Sequence, residues 1–423
     1  MAAPSTPATE RPPVLSPALQ RRLAQIGRGI GLPLGSIVFA FIIGAIIVLV
    51  TGGDPIHAYG DLLCGGFGLA CTGSTYPIYN ISTTVVQAIL LALAGTAVAL
   101  AFRAGLFNIG AEGQLIAGAI VATLLGVNLA SLPGILLIPL VLIGGMVGGA
   151  VWGGIAGALK AYTGAHEVVT TIMLNYVAIS LVEYLVTGGP FSLKTAGGNP
   201  RSPAVGPHAL LPPLIPASST FLGLPGAAYQ ISIGLFIAIA ALIVFWFLLR
   251  RTTLGYEISA VGQSQRAARY AGINVSRTII VTMLIAGAFA GLAGAIFIVG
   301  NPVQPYLTNS FLVDTTGFDA ITVALLGLNT PIGVALGALL IGGLYVGKPL
   351  MQSDAGVDGN LVYVLQALIL FAIAANFLAS LRLRLPGSRK AVPTPAAAGL
   401  ELGPATLASG AEPSAPVGSA DPG

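Results

Sequence analysis

The stretch Phe102-Arg-Ala-Gly-Leu-Phe-Asn-Ile-Gly-Ala-Glu-Gly-Gln114 sets an arginine, an asparagine, a glutamate and a glutamine between two uncharged runs, Val85 to Ala101 and Leu115 to Leu129. Both runs approach the roughly 17–25 apolar residues that a helix needs to cross a bilayer. Hydrocarbon does not tolerate open backbone or charge, so the break between them must face protein, water or the membrane surface. Two roles stay open for it. Glu112 falls in the first turn of the helix that follows, where a carboxylate favours the positive end of the helix dipole, and Asn108 can satisfy free backbone N–H groups there. Alternatively, both line a path or gate.

The surrounding chain decides the class. Of 423 residues, 55% are hydrophobic and only 8% charged, against about 25% charged in soluble domains. This is an all-α polytopic membrane protein, and no surface suited to nucleic acid is expected. The 57 glycines suit close helix packing in lipid, with GxxxG spacings at Gly287/Gly291 and Gly333/Gly337. Ten apolar runs read as spans: 32–51, 85–102, 112–129, 133–158, 168–188, 229–249, 278–300, 317–328, 331–347 and 361–382. With the N-terminus inside, 15 of the 18 lysines and arginines fall on the cytoplasmic side. That asymmetry predicts both termini in the cytoplasm. Residues 1–28 and 387–423, rich in Pro, Ala, Gly and Ser, read as disordered tails around a transmembrane domain, 29–386. The start, Met1 to Gln20, is polar and Pro-rich and does not read as a cleavable signal peptide.

Cys64 and Cys71 share a predicted outer loop, 52–80. An oxidising compartment would join them, and the alternative is two free thiols. His57, His166 and His208 are far apart, and no metal site is expected. Spans two to five and seven to ten make two halves of similar length and opposite orientation. Each has a short second helix beside a polar break, Phe107 to Glu112 and Val313 to Asp319, a pattern that points to a translocation path. In span five, Glu167, Thr171 and Asn175 recur every fourth residue on one face. Asn175 requires an interhelical partner or water. The expected path residues are Asn108, Glu112, Thr171, Asn175 and Asp319. Glu183, in the same span, should face the bundle or reach the outer surface. In the inner loop 250–277, Ser264 can cap a short helix through Ala271, and Gly272 can end it. Such a capped helix makes a docking knob for a cytoplasmic partner.

Three runs, Ala101 to Leu115 (AFRAGLFNIGAEGQL), Gly164 to Tyr176 (GAHEVVTTIMLNY) and Leu254 to Ile273 (LGYEISAVGQSQRAARYAGI), together resemble the permease subunit of bacterial ABC importers. The branch is that of nucleosides and simple sugars, related to branched-chain amino acid and ribose-type permeases, and the resemblance covers about residues 30–385. It implies a type II importer fold in the bacterial inner (plasma) membrane, with a second, homologous or identical, permease subunit around a central path. It implies two cytoplasmic ATP-binding subunits and a periplasmic or lipoprotein substrate-binding protein. Arg266, Ala267, Ala268, Arg269, Tyr270, Ala271 and Gly272 would match the coupling helix that docks on the ATPase. The chain has no GxxxxGK[ST] loop and no Ser/His/Asp set, so it should bind no cofactor and catalyse nothing itself. ATP and Mg²⁺ belong to the partner. Nucleosides, purine nucleosides first, are the expected small-molecule solute, and simple sugars the alternative. A secondary transporter is a different class of answer. It would need a proton-cycling carboxylate at the midplane, whereas the carboxylates here fall mostly near predicted helix ends.

Overall fold

The computed structural model describes residues 17–71, 77–188, 200–216, 218–221, 224–226, 229–301, 304–308 and 316–374. The expected C-terminal tail, the first 16 residues and the part of the second break at 313–315 lie outside them. Among the described residues thirteen α-helices follow in order: α1 (Pro17–Val50), α2 (Pro55–Phe67), α3 (Pro77–Arg103), α4 (Ala111–Asn128), α5 (Gly134–Thr163), α6 (Glu167–Thr187), α7 (Gly234–Arg251), α8 (Thr253–Gln263), α9 (Gln265–Tyr270), α10 (Val275–Val299), α11 (Thr316–Leu326), α12 (Pro331–Asp354) and α13 (Leu361–Ala374). Among the described residues, eight helices are long and apolar enough to cross a membrane, and two shorter apolar ones, α11 and α13, join them. These match the ten runs read from the sequence.

Three boundaries differ from expectation. α1 begins at Pro17, inside the segment read as a tail. Proline suits the first helical position, and the Ala, Leu, Gln and Arg that follow are strong helix formers. The outer loop 52–80 holds α2, too short for a hydropathy window. Its start is nonetheless written locally: Asp54 accepts from the Ile56 N–H at 2.9 Å and Pro55 opens the helix. Gly68 closes it at φ 65°. A disulfide links Cys64, in this helix, to Cys71, with Cα atoms 4.8 Å apart. Finally, the loop 250–277 is mostly helix. Thr252 breaks away from α7 with extended backbone and caps α8 by accepting from the Gly255 N–H at 3.0 Å.

The halves α3–α6 and α10–α13 exchange partners. α10 packs on α5 and α4, while α3 packs on α12 and α11; α4 meets α6 as α11 meets α13. That reciprocal pattern is what an inverted repeat produces. α3, α4 and α10 are buried over most of their length, whereas α1, α5 and α7 bury one side only. Glycine permits the closest approach. A Cβ on Gly149 would stand 2.2 Å from the Gly287 carbonyl oxygen, and one on Gly291 would stand 2.2 Å from that of Gly145. Gly118 brings α4 to the same place, where a Cβ would meet the Gly291 oxygen at 2.3 Å. α2 uses the device again, with Gly66 against Gly343 of α12. On the far side, segment 200–211 lies across the end of α10: Ser202 N–H donates to Leu307 O at 2.8 Å, and Leu211 N–H to Val299 O at 2.8 Å.

Candidate functional site

The three sequence runs, far apart along the chain, converge on residues 102–114. At the start of this stretch, α3 ends and the chain turns through Gly105 at φ 70°. Phe102 and Phe107 hold the turn edge to face, 5.2 Å between ring centres. Gly262 of α8 abuts it so closely that a Cβ would stand 2.1 Å from the Arg103 carbonyl oxygen. The Arg103 Nε–H donates to Asn329 O at 3.1 Å, in the α11–α12 turn where Leu328 and Asn329 both carry positive φ.

Deeper in, the helix start has no capping side chain of its own, because its N-cap is Gly110. Other residues supply the missing partners. Asn108 Oδ1 accepts from the Gly110 N–H at 3.1 Å, and the Asn108 and Gln114 amides pair reciprocally at 3.1 and 3.0 Å. Asn175 of α6 caps α4 from outside: its Oδ1 accepts from the Gly113 N–H and its Nδ2 donates to Ile109 O, both at 2.9 Å. Glu112 reaches the other half, where its Oε2 accepts from the Gly317 N–H at 2.6 Å. Two helix N-termini, those of α4 and α11, therefore meet at one carboxylate, where their positive ends favour negative charge. Lys160 and Glu167 clamp the α5–α6 turn, 2.7 Å apart.

Of the expected path residues, Asn108, Glu112, Thr171 and Asn175 are all buried within this one chain. Thr171 donates to Glu167 O at 2.7 Å and packs against Gly110. Asp319 lies half-buried in the first turn of α11. The structure thus brings the first four together, but as a joint: Asn108, Glu112 and Asn175 satisfy backbone groups that a broken helix leaves open in a membrane, and Thr171 packs beside them. Sequence reasoning missed the partners Gly113 of Asn175 and Gly317 of Glu112, and the Gly262 and Asn329 contacts of Arg103. On the opposite face of α6 it singled out Glu183 alone and missed the stripe around it. Tyr176, Ser180, Glu183 and Thr187 are all exposed and span about 60° of the helix. Their spacing of four, three and four was readable, but which side of α6 the bundle covers was not.

Replacing Asn175 by leucine separates the two roles. Leaving the Gly113 N–H and Ile109 oxygen unpaired costs about 1–3 kcal/mol. The thermal unfolding temperature is expected to fall by several degrees, while KM for solute stays unchanged. A shifted KM at unaltered stability would return Asn175 to the path.

The other motif ends outside the bundle. α9 is capped by Ser264, which accepts from the Ala267 N–H at 3.3 Å, and Gly272 at φ 82° ends its turn. Ala268 is its only buried residue. Arg266, Arg269, Ala267 and Ala271 are exposed, and Tyr270 is 93% exposed. An aromatic ring so bare beside two arginines makes a projecting surface. α8 links it to the junction, through Gly262 against the Arg103 carbonyl.

A helical bundle with exchanged halves, in which the starts of α4 and α11 meet at one junction, has the architecture of a membrane permease. The chain belongs to the family of branched-chain amino acid transport system permease components, which it matches over residues 80–374. It is 36% identical over 345 residues to the guanosine ABC transporter permease protein of Bacillus subtilis, covering 82% of this chain and 93% of that one. It is 39% identical over 355 residues to the nucleoside ABC transporter permease protein of Lactococcus lactis, covering 83% and 92%. The glucose ABC transporter permease protein of Haloferax volcanii is 35% identical over 381 residues, covering 89% and 95%.

Proposed function

We propose that this chain is the permease subunit of an ATP-driven importer that carries nucleosides, purine nucleosides first, across a bacterial inner membrane. The observation that carries this reading is the convergence of three motifs on residues 102–114, which ties the projecting α9 to the polar face of α6. Movement at α9 passes through α8 to the Arg103–Gly105 turn at Gly262. From there it reaches α4, then α6 through Asn175 and α11 through Glu112. A force applied at one end of the bundle thus shifts the helices on both sides of the junction.

Cytoplasmic ATP-binding subunits dock on Arg266 to Gly272, and their closure supplies the force. Both termini lie in the cytoplasm, as the arginine distribution favours. A second permease subunit faces this one across a central path. The exposed stripe Tyr176, Ser180, Glu183 and Thr187 lines that path, because a glutamate turned away from its own bundle needs water or protein in place of lipid. A periplasmic or lipoprotein binding protein delivers the solute. Nucleosides are favoured because two similar relatives are named for them, at 36% and 39% identity. Simple sugars are the second reading, favoured by the glucose permease relative.

The test is the ligand range of the cognate binding protein. Calorimetric titration with purine and pyrimidine nucleosides and monosaccharides should give binding to nucleosides alone. Binding to sugars with none to nucleosides would overturn the substrate and leave the permease assignment standing.

A further inference from the structure

A cavity of about 320 Å³ opens where the N-terminal part of α3 and the C-terminal ends of α10 and α12 meet the segment before α7. No residue of α4, α6, α9 or α11 lines it, so it is separate from the junction. Nor does any charged side chain. Its polar lining consists of three primary amides, Gln87, Gln230 and Asn301, with Thr83, Ser232 and the Tyr345 phenol. Thr83 and Ser232 have backbone partners, Tyr79 O at 3.1 Å and the Gly234 N–H at 3.3 Å. Gln87 and Gln230, both half-buried, face the cavity with no side-chain hydrogen bond among the described residues. Asn301 already accepts from the Gln304 N–H at 3.2 Å, so Gln87 and Gln230 are the amides with hydrogen-bonding capacity left for an occupant.

We propose that this cavity is a binding site for a nucleobase-bearing solute, on the side of the bundle opposite Arg103 and Arg250. The chemistry selects the class. A primary amide offers a donor and an acceptor side by side, which matches the paired groups on a purine edge. Phe297 and Tyr345 line the same space with aromatic rings, the surface on which free bases stack. The absence of charge favours a neutral nucleoside over a nucleotide. The volume suits such a ligand, falling at the small end of the range for small-molecule sites. Gln87 and Gln230 are the specificity-determining side chains. The site holds solute weakly beside the path and is not the path itself. This proposal rests on the nucleoside reading above.

Photolabelling of the assembled complex in lipid nanodiscs with 8-azidoadenosine, followed by peptide mass spectrometry, tests it. Label should map to residues 83–90, 230–232, 296–301 or 345–349, and excess guanosine should remove it while glucose does not. The double variant Gln87→Leu/Gln230→Leu should lower labelling by roughly tenfold or more with the complex still assembled. Wild-type label that maps only elsewhere would overturn the site whatever the variants do, as would competition by glucose equal to that by guanosine. If the binding protein takes nucleosides and the label misses the cavity, the cavity proposal alone fails. If the binding protein takes only sugars, the nucleoside reading fails with it.

Discussion

Replacing Arg269 and Tyr270 together by alanine should abolish solute-stimulated ATP hydrolysis in the assembled transporter while leaving the permease folded. Tyr270 is 93% exposed and Arg269 is exposed beside it, so neither holds the bundle together. Exposed tyrosine and arginine are the side chains that dominate protein interfaces, where losing one such anchor typically costs about 2 kcal/mol or more. Two lost anchors should weaken docking by more than about a hundredfold. The measurement compares ATPase activity, with and without loaded binding protein, in wild-type and variant complexes of equal permease content. Thermal unfolding should coincide for the two. Full stimulation in the double variant would remove the docking role from α9. A companion change, Ala268→Asp, should act differently: Ala268 is buried, so a charge there should disrupt the α8–α9 fold itself.

Gly149→Leu should prevent folding of the permease. A Cβ at Gly149 already falls 2.2 Å from the Gly287 oxygen and 2.6 Å from the Gly291 Cα, both backbone atoms that cannot rotate away. Helices α5 and α10 would have to separate along their contact, and α4 with them at Gly118. Overpacking alone costs about 1–3 kcal/mol, and separation also forfeits the van der Waals contact that drives helix association in lipid. Gly154→Ala is the control on the same helix, since its Cβ would meet only the flexible end of Leu284. Folded yield by size-exclusion chromatography should vanish for the first and persist for the second. Equal yields would show that α5 and α10 can accommodate a side chain at Gly149.

The spans were legible because apolar length is a local property, and the cap of α9 because Ser264 and Gly272 carry it in the sequence. α2 carried equally clear signals in Asp54, Pro55 and Gly68, but a hydropathy reading looks past a helix of 13 residues. The polar break at 102–114 announced a special place without its geometry. Asn108 capping the Gly110 N–H is a contact two residues apart and was foreseeable. Glu112 on the Gly317 N–H joins residues 205 apart, and no local rule gives it. Asn175 illustrates the limit most clearly. Its need for an interhelical partner was readable, but whether that partner was solute, water or backbone depended on which face of α6 met α4. The stripe at Tyr176, Ser180, Glu183 and Thr187 was overlooked for the same reason.

We propose that force transmitted from ATP-binding subunits through α9 moves nucleosides through this bundle. The most direct test is uptake of radiolabelled guanosine into proteoliposomes that hold the permease with its ATP-binding subunits and binding protein. Accumulation should require ATP and the binding protein together and be indifferent to proton and sodium gradients. Accumulation driven by an ion gradient without ATP would contradict the proposal.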